Sequence, residues 1–325
     1  MNPVILISSV GRRSQMVGCA REAIRALNLA GLVLGVDCCP TAPAGYLVDR
    51  FFLVPSCSDP EFLPCLLDIC EMNHVTLLVP TIDTELAFYA ANRKKFEAVG
   101  TTVAISSPAT VEVCADKALT HRWLVGRGFP TVRQATPDEV LRNRTRWKYP
   151  LVVKPRRGSA SQGVVRVDSE AMLHALSRDM DNLIVQESAK GQEYTINLFA
   201  DRLGKCQCCV PHLRIEVRTG EVSKAITVKH PGLMELGRTI VDKLPGPYGA
   251  LNLQCFMDSS GCIKVVEINA RFGGGYPLAH RAGADFFRWL LEDLLQLPSS
   301  ASNNEWENDL TMLRFDDAVF VPRAT

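Results

Sequence analysis

In the segment Ala250-Leu-Asn-Leu-Gln-Cys-Phe-Met-Asp-Ser-Ser-Gly-Cys-Ile-Lys-Val-Val-Glu-Ile-Asn-Ala-Arg-Phe-Gly-Gly-Gly275, two apolar runs flank the turn sequence Asp258-Ser-Ser-Gly261. This pattern predicts two antiparallel strands joined by a tight turn. Alternate side chains of a strand share one face of the sheet. Glu267, Asn269 and Arg271 should therefore project together, with Val266 on the opposite, apolar face.

The register of this hairpin predicts a magnesium site. A two-residue turn at Ser260-Gly261, or a four-residue loop, places Gln254 opposite Glu267 and Asn252 opposite Asn269. Carboxylate and amide oxygens suit Mg²⁺, which also keeps waters and substrate phosphates. An arginine further along the same face suits the charge that develops on a transferred phosphoryl group. On these residues alone, an edge hairpin with a solvated polar face is an equally good interpretation.

Length and charge limit the class of protein. With 325 residues, the chain can form two or three packed subdomains. Its formal charge is +1, so no overall field attracts it to nucleic acid or to an anionic membrane. The apolar run at residues 4–7 is too short for a signal sequence, and no run approaches the roughly 20 apolar residues of a spanning helix. We expect a cytoplasmic protein with neither nucleic-acid nor membrane partners.

The cysteines favour a reducing environment. All twelve are scattered without a repeated spacing, several within apolar runs. Free cysteine is common in such positions, so we favour reduced thiols over a disulfide framework. The cluster Cys206-Gln-Cys-Cys-Val-Pro-His212 would need a second spaced pair of ligands to form a structural zinc site, and none is evident.

The first hundred residues alternate apolar strands with amphipathic helices. The strand Val4–Ser9, a helix from Arg12 to Leu29 and the strand Leu32–Val36 open this pattern, which predicts a parallel, Rossmann-like sheet. A nicotinamide site is disfavoured because the first turn, Ser8-Ser-Val-Gly-Arg-Arg13, lacks the spacing Gly-x-Gly-x-x-Gly.

Ligands of open parallel sheets bind beyond the carboxyl ends of the strands. Arg12 and Arg13 follow the first strand, and Asp83 and Glu85 follow a later one at residues 76–79. Basic residues in a first helical turn oppose the helix dipole, whereas acids there are ordinary. Our hypothesis is that Arg12 or Arg13 holds an anionic substrate, and that Asp83 or Glu85 holds its amino or hydroxyl groups.

A family resemblance follows from the hairpin. Glu267-Ile-Asn-Ala-Arg271, preceded by Gln254, resembles the metal-binding strand pair of ATP-grasp enzymes, and most closely the carbamoyl-phosphate-synthase-like branch of carboxylate–amine ligases. The resemblance covers nearly the whole chain. It implies a mixed α/β and α+β fold: a Rossmann-like domain (1–113), a small ATP-grasp subdomain that acts as a lid (114–185), and a large subdomain with the metal site and a C-terminal tail (186–325).

A strand ending at Lys154 leads into a loop of small residues. Backbone N–H groups at glycines and serine hydroxyls suit an anion. The resemblance implies that Lys154 binds the α- and β-phosphates, that this loop closes as a lid over the γ-phosphate, and that Lys117 reaches the phosphates from a helix start. The candidate phosphate contacts in the loop are Gly158, Ser159, Ser161 and Gly163.

The segment Leu183–Asn197 joins two strands through a short linker. The resemblance implies that this linker meets the adenine edge with backbone donors and acceptors, at Gln186, Glu187 and Ala189. It also implies that Glu193 binds the ribose hydroxyls. An acid within a buried sheet needs a polar partner in any case.

Three further features lie towards the C-terminus. Arg218 and Lys224 belong to a run of alternating charge that is typical either of a solvated strand or of a segment facing substrate phosphate. The glycines Gly273, Gly274 and Gly275 form a loop whose backbone suits a substrate carboxylate or acyl phosphate. A helix over residues 284–297 and a last strand at Ala318–Val321 are predicted to follow.

The resemblance implies an ADP-forming ligase that uses ATP and Mg²⁺, with Mn²⁺ as an acceptable substitute. Gln254, Glu267 and Asn269 would bind the metal, while Lys154 and Arg271 neutralise phosphates. A small carboxylate, such as an amino acid or a related metabolite, becomes an acyl phosphate and then meets an amine. A bicarbonate-activating enzyme and a non-catalytic nucleotide-binding protein are the alternatives, and a thiol acceptor and a homodimer are left open.

Overall fold

The computed structural model describes residues 2–158, 162–179 and 182–321. Within these residues the chain forms three sheets, one parallel and two antiparallel, of five, four and six strands. They follow one another along the sequence.

The N-terminal sheet is parallel and has the order β3-β2-β1-β4-β5. Its strands are β1 Val4–Ser8, β2 Leu32–Asp37, β3 Arg50–Leu53, β4 Leu77–Val79 and β5 Thr102–Val103, and its helices are α1 Ser14–Ala26, α2 Phe62–Met72 and α3 Asp83–Ala98. The central strands are buried on both faces, as the apolar runs predict. The strand order reverses between β1 and β4, and such a switch point opens a crevice for ligands at the carboxyl ends of the strands.

The middle sheet is antiparallel and small. Two helices, α4 Pro108–Ala115 and α5 Lys117–Gly126, lead into it. Its elements are β6 Gln134–Ala135, α6 Pro137–Arg142, β7 Leu151–Pro155, β8 Val165–Val167, α7 Glu170–Asp179 and β9 Leu183–Glu187, with the strand order β6-β9-β7-β8. The boundary proposed at residue 185 falls inside β9, which pairs with β7 over its whole length. A division after residue 187 keeps this sheet intact.

The C-terminal sheet carries the predicted hairpin at one edge. Its order is β14-β13-β10-β11-β12-β15, and all its pairings are antiparallel. The elements are β10 Gln192–Ala200, β11 Cys206–Arg218, β12 Glu221–Thr227, α8 Pro231–Lys243, β13 Gly249–Met257, β14 Ile263–Asn269, α9 Tyr276–Arg281, α10 Phe286–Leu294 and β15 Thr311–Leu313. The helix α8 covers one face of the sheet, where Gly237 packs against Leu198. The opposite face is mixed: Phe199 packs against Phe286 of α10, whereas Asn197 and Asn252 supply polar side chains.

The prediction of a last strand at Ala318–Val321 is wrong. The edge of β12 is instead completed by β15, with Met312 opposite Ala225. Residues 318–321 are not in a strand, and Phe320 is 93% exposed. An apolar, β-prone run forms a strand only where a partner edge meets it, and the chain reaches the free edge of β12 seven residues earlier.

Aromatic packing joins the N-terminal and C-terminal parts. One core cluster combines residues of β1 and α1 with Phe272, Tyr276 and Phe287. The rings of Phe272 and Phe287 are stacked with centroids 4.8 Å apart. A fully buried aromatic side chain contributes about 1.5–3 kcal/mol through removal of apolar surface from water. This shared core holds the carboxyl ends of β1 and β4 against the loop that follows β14.

No helix in the described ranges combines the length and the apolar character needed to cross a bilayer. All twelve cysteines are free thiols. Cys206 and Cys209 approach each other with their Sγ atoms 3.4 Å apart, and they lie in β11 rather than in a metal loop. Across the described ranges, no group of three or more His, Cys, Asp or Glu side chains is arranged to hold a metal.

Candidate active site

The hairpin of β13 and β14 has the predicted register at its polar end. Gln254 lies opposite Glu267, and Asn252 lies opposite Asn269. The turn, however, spans five residues rather than two or four, since Met257 pairs with Ile263. The longer turn alone would shift the pairing of all strand residues by one position relative to the prediction. A β-bulge between Gln254 and Cys255 restores the predicted register at Gln254.

The bulge also changes which side chains line the cleft. Val266 and Glu267 both line it, although strict alternation places Val266 on the opposite, apolar face. The expectation for Val266 was therefore wrong. The physical reason is that a bulged residue is left out of the pairing, so the alternation of faces is interrupted there.

The donor set suits a hard cation completed by other oxygens. The side chain of Glu267 is 17% exposed and lines the cleft together with Gln254. Asn269 is buried and donates from Nδ2 to Oδ1 of Asn252 at 3.1 Å, so its own Oδ1 is not used in that bond. Asn269 is not among the described residues that line the cleft. One carboxylate and amide oxygens fit Mg²⁺ only with water and phosphate as further ligands.

A cleft of about 340 Å³ lies between the middle and C-terminal sheets. Of the predicted site residues, it is lined by Lys117, Lys154, Gly158, Gln186, Glu187, Ala189, Gln254 and Glu267. Sequence reasoning missed its apolar wall, which includes Val132, Val152, Val164 and Phe256. Val152 and Phe256 lie two residues from Lys154 and Gln254, so strand alternation contained the signal for both.

Two lysines face Glu267. Nζ of Lys117 lies 3.5 Å from Oε1 of Glu267 and donates to the carbonyl oxygen of Gly158 at 2.7 Å. Lys154, at the end of β7, is 6% exposed. Burial lowers the pKa of the Lys154 ammonium to about 8, while Glu267 opposes the shift and Lys117 adds to it. The cleft thus holds two ammonium groups near Glu267, while its other carboxylate, Glu187, is paired with Lys264, and this balance favours an anionic ligand.

The base of the loop after β7 is tied to the start of α5. Asp116 caps this helix by accepting from the N–H of Ala118 and also accepts from Nε of Arg156 at 2.7 Å. The N–H of Lys117 donates to the carbonyl of Arg156 at 3.0 Å. Gly158 (φ +118°) and Gly163 (φ +68°) both use backbone conformations that favour glycine. Ser159 and Ser161 lie outside the described residues.

The linker after β9 borders the cleft. Gln186 is buried and donates from Nε2 to Oε1 of Gln134 at 2.7 Å. Glu187 accepts from Nζ of Lys264 at 2.6 Å. Since both side chains are engaged within the protein, what the linker offers to a ligand is its backbone and the small side chain of Ala189.

Glu193 pairs with Arg214, a residue that sequence reasoning missed. Nη1 of Arg214 lies 2.5 Å from Oε1 of Glu193, and the Arg214 side chain is only 6% exposed. Arg214 belongs to the charged run that drew attention to Arg218 and Lys224. The structure places those two differently: both contact Glu216 on an exposed hairpin, with side chains 65% and 43% exposed. They are not among the described residues that line the cleft, and their predicted role towards a substrate stays a prediction.

Arg271 faces the N-terminal domain. Its guanidinium makes a bidentate contact with Asp83, from Nε to Oδ1 at 2.8 Å and from Nη2 to Oδ2 at 2.6 Å. Against the effect of burial, Asp83 and then Glu267 raise the pKa of Arg271. Arg271 therefore lies between the cleft and the crevice at the carboxyl ends of β1 and β4.

The crevice brings together most of the predicted substrate residues. Arg13 is half-buried and donates to Glu221 at 3.1 Å, whereas Arg12 is exposed. Glu85 is buried and accepts from the hydroxyls of Ser8, at 2.9 Å, and Ser9. Burial raises the pKa of Glu85 to about 7, although both serines oppose the shift. Arg13, Asp83 and Glu85 thus meet at one edge of the sheet, and Arg12 does not join them.

Two of the three glycines after Phe272 have close neighbours. A Cβ on Gly274 would lie 2.0 Å from Oε2 of Glu221, and one on Gly275 would lie 2.6 Å from Cε1 of His212. The carbonyl oxygen of Gly274 accepts from Arg314. His212 is fully buried, and burial lowers the pKa of its ring to about 3, so the ring is neutral.

Two family models match the chain. The PylC-like N-terminal domain matches residues 5–104, and the ATP-grasp domain matches residues 114–275. Among known proteins, the carbamoyl phosphate synthase arginine-specific large chain of Bacillus subtilis (strain 168) is 23% identical over 253 residues, which are 72% of this chain and 23% of that protein. The D-alanine–D-alanine ligase of Marinomonas sp. (strain MWYL1) is 28% identical over 141 residues, 37% of this chain and 43% of the ligase. The chain thus spans less than half the length of these relatives.

Solved structures show the same fold. The biotin carboxylase domain of the Hydrogenobacter thermophilus 2-oxoglutarate carboxylase has a TM-score of 0.75 at 15% identity, covering 96% of this chain and 73% of that one. The L-amino acid ligase of Bacillus licheniformis has a TM-score of 0.68 at 19% identity, covering 95% and 78%. The likenesses show the fold alone, and the two family matches show that the chain belongs to the ATP-grasp superfamily, with a PylC-like domain preceding its ATP-grasp domain.

Proposed function

We propose that this protein is an ATP-dependent carboxylate–amine ligase. It activates a small carboxylate, an amino acid or a related metabolite, as an acyl phosphate, and an amine then displaces the phosphate. ADP and inorganic phosphate are the by-products.

The observation that carries this proposal is the composition of one cleft. Lys117, Lys154, Gln254 and Glu267 line the same space of about 340 Å³, and the apolar side chains of Val152 and Phe256 line it too. Apolar walls suit a nucleobase, whereas ammonium groups beside the Glu267 carboxylate suit a metal-bound polyphosphate. This composition supports an ATP site between the middle and C-terminal sheets.

Each residue of the site would have its own role in this reaction. Glu267 and Gln254, with Asn269 behind them, would hold Mg²⁺, which when bound neutralises charge on the phosphates and fixes their orientation. Lys154 and Lys117 approach the phosphates with positive charge, and the backbone around Gly158 can donate to them. Arg271, held by Asp83, faces the incoming carboxylate. A carboxylate attacks without losing a proton, so positioning and electrostatics suffice for that step.

Measurement of nucleotide products tests the proposal. Purified protein with Mg-ATP would be supplied with a panel of amino acids and small carboxylates, with and without an added amine, and ADP and AMP would be quantified. We expect ADP release that depends on one carboxylate. AMP as the product would overturn the acyl-phosphate mechanism. ADP release that needs only bicarbonate would favour the carboxylase alternative, and a nucleotide-binding protein would release neither product.

The variant R142A is the matched control for the site variants, because Arg142 contacts Asp138 within α6, is 74% exposed and is not among the described residues that line the cleft. It should leave ADP release unchanged. Lys154→Met should raise the KM for ATP, since it removes a buried positive charge from the cleft.

Location and assembly belong to the same proposal. Twelve free thiols suit a reducing compartment, which supports a cytoplasmic location. A biotin carboxylase domain of the same fold is described as a dimer, and we propose a homodimer for this chain. Its mass in solution tests this.

A further inference from the structure

Arg314 follows the last strand and lies outside both matched family models, which end at residues 104 and 275. The ladder between β15 and β12 places it, because Leu313 pairs with Lys224 and the N–H of Arg314 donates to the carbonyl of Ser223 at 2.9 Å. Its guanidinium reaches Oε2 of Glu221, with Nη1 at 3.4 Å, and the carbonyl of Gly274. The C-terminal tail thus brings a positive charge to the glycine loop.

Arg13 approaches the same carboxylate from the N-terminal domain, with Nη1 3.1 Å from Oε1 of Glu221. Two guanidinium groups therefore share one carboxylate, and one positive charge is left uncompensated. The three side chains are 21% (Arg13), 41% (Glu221) and 26% (Arg314) exposed, so a ligand can reach them.

Arg13 and Arg314 have more hydrogen-bond donors than there are acceptors around them. A guanidinium carries several N–H donors in a planar fork. The side chain of Arg13 makes a single hydrogen bond to the described part of the chain, and Nε of Arg314 is buried without an acceptor among the described residues. Paired guanidinium groups with unused donors suit a carboxylate or a phosphate ester, which accepts from such a fork at two oxygens.

The pair lies beside the proposed reaction centre. Arg13 is close enough to Arg271 for their charges to interact, and Arg271 contacts Asp83 at the switch-point crevice. A substrate whose reacting carboxylate faces Arg271 would extend towards Arg13 and Arg314. Glu221 lies against the backbone of Gly274 at that point, where it occupies the place of an anionic group.

We propose that Arg314 and Arg13 form a subsite for a second anionic group of the substrate, a carboxylate or a phosphate ester, and that Glu221 is its internal competitor. This inference rests on the proposed ligase function for the orientation of the substrate. It makes Arg314 a specificity-determining residue contributed by the C-terminal tail. It predicts opposite effects for the two charges: removal of Arg314 weakens the binding of a doubly anionic substrate, and removal of the Glu221 charge strengthens it.

Calorimetric titration with acidic and neutral partners of the same size tests the subsite. The probes are L-aspartate against L-asparagine, L-glutamate against L-glutamine, and O-phospho-L-serine against L-serine, each with Mg-ADP present. We expect wild-type protein to bind at least one acidic member about ten- to a hundredfold more tightly than its neutral partner, as expected for hydrogen bonds to a charged group. The pair that responds distinguishes a carboxylate from a phosphate ester.

The variants distinguish a ligand-binding subsite from a structural clasp, in which Arg13 and Arg314 only hold Glu221 in place. R314A should abolish the preference, R314K should retain part of it, and E221Q should increase affinity for the acidic member several-fold. R142A, whose side chain is exposed on α6, is the surface control and should change nothing. A clasp predicts instead that R314A and E221Q lower stability together and shift affinity in the same direction. That outcome, or equal binding of all the pairs by wild-type protein, would overturn the proposal.

The same experiment separates the subsite from the ligase function. Acid-selective binding that R314A abolishes, without any ADP release, would support the subsite and overturn the ligase. ADP release with a carboxylate whose selectivity R314A leaves unchanged would support the ligase and overturn the subsite. Thermal denaturation of R314A and R314K identifies any loss of folding.

Discussion

Glu267 combines three features that make its charge important. It lines the cleft, it lies opposite Gln254, and it is 3.5 Å from the Lys117 ammonium. In E267Q the amide keeps the shape but loses the charge that a metal and two lysines require. We expect kcat for ADP release to fall by at least about a hundredfold, the scale of removing a group that stabilises transition-state charge. Undiminished turnover would contradict the proposed site.

Glu85 should make folding stability depend on pH. Burial raises its pKa from 4.5 to about 7, so the folded state binds the proton more tightly than the unfolded state. The corresponding stability is present below about pH 4.5 and is lost as the pH rises through about 7. The shift corresponds to about 3 kcal/mol. The free energy of unfolding, measured in urea between pH 5 and 8, should fall by up to that amount in wild-type protein.

The variant E85Q should lack this part of the pH dependence, because a glutamine does not titrate. Its buried amide keeps hydrogen-bonding capacity towards Ser8 and Ser9, which makes it a close structural match. Parallel pH profiles for the two proteins would show that Glu85 does not titrate in this range.

The glycine loop, residues 273–275, is the element in which side chains packed nearby most directly restrict the residue type. A Cβ on Gly275 would meet the fully buried His212 ring at 2.6 Å, and that ring has no room to move. A Cβ on Gly274 would meet Glu221 instead, and the flexible, 41% exposed side chain of Glu221 can shift. We expect G275A to lower the free energy of unfolding by about 1–3 kcal/mol, the typical cost of overpacking, and G274A to lower it by less.

A helical glycine provides the control for this comparison. Gly18 lies within α1, and a Cβ there would meet nothing within 4 Å. G18A should raise stability by up to about 1 kcal/mol, because alanine favours the helix. Urea unfolding of all three variants gives the order, and a G275A protein as stable as G18A would contradict the contact at His212.

In the whole molecule, the contact between Asp83 and Arg271 links the N-terminal domain to the ATP-grasp domain. Their side chains are 20% and 13% exposed, so water screens the pair only in part. We expect D83A to lower the free energy of unfolding by about 1–3 kcal/mol, because it leaves a largely buried guanidinium without its partner. A double-mutant cycle with R271A should give a coupling energy of similar size.

The exposed pair Arg144–Glu170 is the control for that cycle, since its side chains are 67% and 36% exposed. Its coupling energy should stay below about 1 kcal/mol. Equal coupling in the two cycles would mean that the Asp83–Arg271 contact does not hold the domains together.

Local patterns were sufficient for much of the fold. The parallel N-terminal sheet, the strand that ends at Lys154 and the opposition of Gln254 and Glu267 are all confirmed. Each depends on periodicity, turn residues or chain order, which are properties of neighbouring residues. The roles of the site residues stay predictions. The bulge at Val266 was not predictable, because it compensates for a turn one residue longer than the sequence suggests.

By itself, the sequence determined that a hairpin with one polar face follows a Rossmann-like parallel sheet, since the apolar and polar positions of each element lie within a few residues of one another. Only the tertiary structure decided that Arg271 contacts Asp83, that Arg214 rather than Arg218 is buried beside Glu193, and that Arg314 meets Arg13 across Glu221. These contacts join residues separated by 21 to 208 positions. Which charged side chains come into contact depends on how the sheets pack against one another, and no pattern of neighbouring residues determines that packing.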